Sequence, residues 1–153
     1  MSLLLRPYTS ADFDTLLAID QACYAAGIAY SKRILRWFLD QPGAYCVVAE
    51  ENGKVSGFVL VEHEKTHAHL ITIDVLEDAR RRGIGTMLLD TIEHTLAARG
   101  ARTIELETAT DNEPAIAFWR KHGYRTMRVL KRYYLNRVDA YSMYKPLLPP
   151  KEA

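Results

Sequence analysis

The stretch from His67 to Thr108 constrains this chain more than any other part of it. "HAHLITIDVL" is rich in β-branched residues and reads as a strand. "EDARRRGIGT" interrupts it, and then Ile84, Leu88, Ile92 and Leu96 recur every fourth residue until Gly100. That spacing places one apolar stripe along a helix, which Gly100 ends. "RTIELET" resumes a strand. A strand, a helix and a strand in this order predict a parallel pair joined by a right-handed crossover, spanning Ile71 to Glu107.

The flanking segments supply antiparallel strands and three more helices. "LLLRPYT" opens as a short strand. Thr9 or Ser10 caps a helix from Ala11 to about Ala25, where Phe13, Leu16, Leu17, Ile19 and Ala22 keep helical spacing and Gly27 is the stop. Ser31 caps a second helix with Ile34, Leu35, Phe38 and Leu39 on its buried face, ended by Pro42-Gly43. "AYCVVAE" and "KVSGFVLVEHE" around "ENG" read as a hairpin. "NEPAIAFWRKH" is a helix with Asn112 at its cap, Pro114 in its first turn and Gly123 at its close. "YRTMRVLKRYY" and "VDAYSMYKPL", joined by "LNR", are the last strands. The order β-α-α-β-β-β-α-β-α-β-β predicts an α/β (α+β) mixed sheet with helices on both faces. Residues 1–147 are expected to form one domain, and 148–153 a flexible tail.

Composition narrows the function classes. A net charge of +1 over 153 residues gives no reason to expect a nucleic-acid partner, so any basic patch is local. No apolar run is long enough for a membrane span and the start is unlike a signal peptide, which makes the cytoplasm the expected compartment. Cys23 and Cys46 have no metal or redox spacing and read as small buried hydrophobes; no metal is expected.

The basic interruption, "DARRRGIGTMLLD", is open to two readings. Gly costs about 1 kcal/mol relative to Ala within a helix, so Gly83 and Gly85 in a first turn call for a reason. Helix starts carry unpaired N–H groups and partial positive charge, which a phosphate can approach where Cβ atoms are missing, drawn by Arg80, Arg81 and Arg82. A plain basic loop with a helix cap explains the same residues. No Lys-Ser/Thr follows, so the P-loop is excluded, and the dinucleotide fingerprint lacks its third glycine.

"V-x-x-x-A-R-R-R-G-I-G-T-M-L-L", Val75 to Leu89, resembles the acyl-coenzyme A motif of the GNAT superfamily of N-acetyltransferases: Arg or Gln, two residues, Gly, one residue, Gly or Ala. "NEPAIAFWRKHGY" is similar to that family's second signature, and the element order matches its fold over essentially the whole chain. "RYY…DAYSMYK" resembles the N-terminal protein acetyltransferases of the ribosomal-protein-alanine type. The resemblance implies acetyl-CoA as co-substrate. The pantetheine arm is then expected along Ile73 and Val75, the diphosphate at the N–H groups of Arg81, Arg82, Gly83, Ile84, Gly85 and Thr86 beside Arg80, and Asn112 near the thioester. It also implies that the strands carrying Val75 and Glu107 splay apart to admit the arm.

Acetyl transfer to an amine needs a base, and holding both reactants in one cleft removes the need for a protein nucleophile. Glu107 is the candidate base, at the position where the resembling enzymes carry a catalytic glutamate. His69 on the preceding strand is its rival, since histidine titrates in the useful range. Strand alternation puts Glu105 on the same face as Glu107. His63 and His67 read as surface residues at strand ends, and Asp74 as a side chain aimed into substrate space. Relatives place an acidic tyrosine where this chain has Trp119, whose indole is no acid. Phe118 and Trp119 read as core aromatics. Tyr24 or Tyr30, flanking the first interhelical loop, can stand in as the acid, and Tyr30 also borders the acceptor groove. Of Tyr133 and Tyr134, expected to contact the acceptor, a regular strand turns only one toward it. The loop "LNR" departs from the acidic-glycine loop of those relatives.

The expected function is an acetyl-CoA-dependent N-acetyltransferase acting in a ternary complex on a peptide or protein N-terminal amine. A small amine (polyamine, amino sugar or amino acid) is the alternative acceptor, and a coenzyme A-binding sensor or subunit the alternative class. The exposed last hairpin can pair with a second copy as a homodimer.

Overall fold

The computed structural model describes residues 3–149, so most of the expected tail, residues 150–153, lies outside it. Its strands are β1 (Leu3–Pro7), β2 (Ala44–Glu51), β3 (Lys54–Glu64), β4 (His67–Val75), β5 (Thr103–Ala109), β6 (Arg125–Tyr134) and β7 (Val138–Pro146). Its helices are α1 (Phe13–Cys23), α2 (Lys32–Leu39), α3 (Ile84–Ala98) and α4 (Glu113–Lys121), with short 3-10 turns before α1 and α3. The seven strands form one sheet ordered β1-β2-β3-β4-β5-β7-β6. The β4–β5 pair is parallel and its neighbours are antiparallel, an α/β mixed sheet with the expected element order.

Apolar residues cover both faces. Ile84, Leu88, Leu89, Ile92 and Leu96 of α3 pack with Trp119 of α4 against Val59, Val61, Leu70, Ile104 and Leu106. Phe13, Leu16, Ile19 and Leu35 cover the other face against Val48, Phe58 and Leu60. Fully burying a side chain of this size contributes about 1.5–3 kcal/mol, so the two layers fix the order of the strands between them. β6 is an outer edge and is exposed along most of its length. Among the described residues, no helix is long and apolar enough to cross a membrane.

Three details differ from the sequence reading. α1 ends at Cys23, short of Ala25 and Gly27, because Tyr24 takes extended backbone and Asp20 captures the N–H of Tyr30, turning the chain back early. Ala22 is accordingly exposed. On α2 only Leu35 is fully buried; Ile34 is exposed, because eight residues present a single narrow stripe to β2. Cys46 is buried as expected, but Cys23 is only partly so and lies beside the end of β4.

Candidate active site

The parallel pairing of β4 and β5 lasts from His67–Thr103 to His69–Glu105 and then stops, while both strands continue. Ile71 is the extra residue at that point, since Leu60 faces Thr72 and Val61 faces Leu70. Such a bulge bends its strand, so β4 leaves β5 and an opening forms between them. Further along, Leu76 N–H bonds Ser56 O at 2.9 Å. Backbone groups alternate sides along a strand, so Ile73 and Val75 turn theirs away from β3 and toward the opening. The carbonyl of Val75 accepts from Arg80 Nε at 2.8 Å and lies 3.5 Å from Cys23 Sγ.

At the far end of β4 the loop into α3 carries two left-handed residues, Arg81 (φ 64) and Gly83 (φ 79). A non-glycine residue in that region costs about 1 kcal/mol or more, a strain that persists only where the surrounding structure imposes it. Left-handed turns of this kind gather successive N–H groups into a concavity that suits an anion. Gly83 is the N-cap of α3 and no side chain caps the helix. The first helical bond runs from Met87 N–H to Gly83 O, leaving the N–H groups of Ile84, Gly85 and Thr86 ahead of the ladder. A Cβ on Gly83 would meet nothing within 4 Å, and one on Gly85 would touch Phe118 at an ordinary 3.5 Å. Neither glycine is demanded by protein packing, which leaves room for a group approaching from outside.

The arginines divide their tasks. Arg80 is held by Val75 O and Cys23 Sγ, and Arg82 by Glu51 at 2.5 Å. The Thr86 hydroxyl is engaged by His122 at 3.1 Å, so Thr86 offers the opening its backbone rather than its side chain. Asn112 caps α4, its Oδ1 accepting from Ala115 N–H at 3.3 Å.

Where the strands part, Glu107 Oε1 lies 2.7 Å from His69 Nε2 and accepts the Tyr133 hydroxyl at 3.4 Å. The hydrogen bond to Glu107 raises the pKa of His69 above the usual histidine value, against the opposing effect of burial. Glu105 shares the face of Glu107 but pairs with the exposed His67 at 3.3 Å, at the last rung before the opening. β6 is irregular near Tyr133 and Tyr134, with Arg132 at φ 53 and a register break between Leu130 and Tyr134. The two rings therefore meet edge to face at 4.9 Å, which a regular strand would not allow, and Tyr133 is the one whose hydroxyl reaches Glu107. Tyr30 lies on the loop after α1, its hydroxyl donating to Ile71 O at 3.4 Å.

Asp74 departs from expectation. It is 1% exposed and accepts from Thr72 Oγ1 at 2.6 Å, so its carboxyl is buried against α1 rather than open to a substrate. Tyr24 joins the same cluster through Thr72, at 3.5 Å. Sequence reasoning missed Asp20 here, although the signal was present: Asp20 occupies the apolar stripe of Phe13 and Leu16, where a charge needs a partner. Trp119 is 5% exposed and packs on Phe118 and Tyr124, a core aromatic as expected.

Comparison with known proteins agrees with this geometry. The sequence profile of the acetyltransferase (GNAT) family matches residues 13–124. The chain is 33% identical over 117 residues to N-alpha-acetyltransferase 30 of Schizosaccharomyces pombe, covering 73% of this chain and 78% of that protein. It is 29% identical to an N-alpha-acetyltransferase of Sulfolobus acidocaldarius, covering 94% and 92%. The crystal structure of the ribosomal-protein-S18-alanine N-acetyltransferase from Escherichia coli superimposes with a TM-score of 0.88 at 25% identity, over 99% of this chain and 97% of that one. With a split parallel pair, a bare helix start and this match over most of its length, the chain belongs to the GNAT family of acetyl-CoA-using N-acetyltransferases.

Proposed function

We propose that this protein moves an acetyl group directly from acetyl-CoA to the N-terminal amine of a peptide or protein, within a ternary complex in the cytoplasm. The observation that carries the reading is the carboxylate of Glu107 at the mouth of the β4–β5 opening, held by His69 and Tyr133, with the Tyr30 hydroxyl on Ile71 O at the bulge where the strands part. The relatives named N-alpha-acetyltransferase support the choice of acceptor.

Acetyl-CoA supplies a thioester carbonyl that a neutral amine can attack. The backbone of Ile73 and the N–H of Val75 hold its amide-bearing arm as an added strand would be held. The N–H groups from Arg81 through Gly83, Ile84 and Gly85 to Thr86 hold the diphosphate, with Arg80, Arg81 and Arg82 setting the positive potential around it. Asn112, at the start of α4, contacts the arm beyond. Glu107 takes the proton of the incoming ammonium, directly or through one water. His69 orients that carboxylate, and Tyr133 steadies the same oxygen. Burial raises the pKa of Tyr24 and of Tyr30, so both hydroxyls keep their protons and can donate. Tyr30 is the better placed donor, because its hydroxyl lies at the Ile71 bulge where the strands part, whereas Tyr24 is held at the buried Thr72.

A thiol-release assay with acetyl-CoA against short peptides, polyamines, amino sugars and amino acids tests the reading. Turnover with free peptide N-termini, absent from peptides already blocked there, is the expected result. Turnover confined to small amines overturns the acceptor, and binding of acetyl-CoA without turnover overturns the catalysis.

A further inference from the structure

Two carboxylic acids meet in the dry layer between α1 and β4. Asp20 is 0% exposed and Asp74 1%, and the Asp20 carboxyl is a close enough neighbour to help raise the pKa of Asp74. Asp20 Oδ2 accepts the Tyr30 N–H at 2.7 Å, and Asp74 Oδ1 accepts the Thr72 hydroxyl at 2.6 Å. The second oxygen of each, Asp20 Oδ1 and Asp74 Oδ2, is buried without a partner. Two ionised carboxylates in such a place would each lack a donor and would repel one another. One proton between the free oxygens removes both penalties.

We propose that Asp20 and Asp74 share a single proton, and that this acid pair clamps the Tyr24–Tyr30 loop in place over the acceptor site. The acceptor half of the proposal rests on the function proposed above. Both aspartates are positioning residues: they act through Tyr30, whose N–H Asp20 holds and whose hydroxyl reaches Ile71 O at the bulge. The surroundings favour a retained proton. α1 contributes Cys23 and the residue after it, Tyr24; the loop contributes Tyr30; β4 contributes Thr72; β2 contributes Cys46; and β3 sets apolar Phe58 opposite Asp74. Arg80 is the cation on this side, and Val75 O and Cys23 Sγ occupy its guanidinium. Burial, and then the neighbouring Asp20, holds Asp74 well above the usual carboxylate range, against the opposing hydrogen bonds of Thr72 and Tyr24.

The direction of the effect follows. The folded protein binds a proton here that the unfolded chain releases, so the clamp is complete at low pH and is lost as pH rises through the raised pKa of Asp74. Two like charges then separate α1 from β4 and free the Tyr30 N–H.

Infrared spectroscopy of the wild-type protein at neutral pH should show a protonated-carboxyl band that Asp74→Asn removes. On moving to alkaline pH, wild-type exchange of the Tyr30 amide should accelerate and the acceptor KM should rise about fivefold or more, with the KM for acetyl-CoA unchanged. Asp74→Asn, which keeps a donor between the oxygens but cannot titrate, should abolish both changes. If that variant does not fold, Asp20→Asn replaces it by the same logic. Absence of the band, or the same pH dependence in wild type and variant, overturns the proposal. Infrared and exchange need no turnover, so an enzyme silent toward every amine would count against the proposed function alone.

Discussion

Glu107 Oε1 and His69 Nε2 are 2.7 Å apart; His69 forms the last rung that joins β4 to β5, and Glu107 lies two residues past its rung partner Glu105. The pair therefore stands where the sheet opens. Glu107→Gln keeps the shape and removes the base, and should lower kcat about a hundredfold or more. The hydrogen bond to Glu107 raises the His69 pKa, so the stabilisation of the ion pair is full below the ordinary histidine value and fades as pH rises through the raised one. Steady-state kinetics of His69→Gln should accordingly show the acid limb of kcat/KM moved to lower pH. An unmoved limb would separate His69 from the chemistry.

The two glycines of the α3 start should respond differently from ordinary core positions. Gly85→Ala places a methyl in plain contact with Phe118 and gains helix propensity, so the variant should be as stable as wild type or more so, by up to about 1 kcal/mol. Calorimetry should nevertheless find weaker acetyl-CoA binding. Gly83→Ala should lose about 1–2 kcal/mol at its left-handed φ without meeting any neighbour. Unchanged affinity in both variants would remove the diphosphate from this loop.

Tyr133 reaches Glu107 through its hydroxyl, whereas Tyr134 packs edge to face on the Tyr133 ring. Tyr133→Phe should reduce kcat severalfold and leave the fold intact, because the ring is partly exposed. Tyr134→Phe should affect kcat less. Equal effects from the two variants would assign the loss to packing instead of the hydroxyl.

Acid sensitivity should reside away from the cleft. Arg6 grips both oxygens of Asp12 at 2.9 Å, and Thr9 N–H adds a third bond at 2.8 Å. These hold the Asp12 pKa down to about 2, which corresponds to about 2 kcal/mol of stability. That contribution is present above the ordinary carboxylate pKa and lost as pH falls through about 2. Denaturant titrations of Asp12→Asn should show the loss at neutral pH and a flatter acid limb.

Particular residues show how far the chain could be read directly. The spacing of Ile84, Leu88, Ile92 and Leu96, and the glycines before them, located the crossover and the loop without any coordinates, because periodicity and backbone freedom are local properties. Glu107 was identifiable by its place in a resembling motif. Asp74 was legible only as a residue on the right strand; its burial depends on α1, which is distant in sequence. The edge-to-face meeting of the adjacent Tyr133 and Tyr134 rings required a register break that strand alternation cannot foresee.

The sequence by itself determined the order of elements, the mixed sheet and the family, since apolar period, turn residues and motif spacing act over a few neighbouring residues. Tertiary structure alone decided that Ile71 bulges, that β4 leaves β5 there, and that Asp20 and Asp74 are both buried. Those facts arise from burial and pairing between segments far apart in the chain, and no local pattern carries the free energy of such contacts.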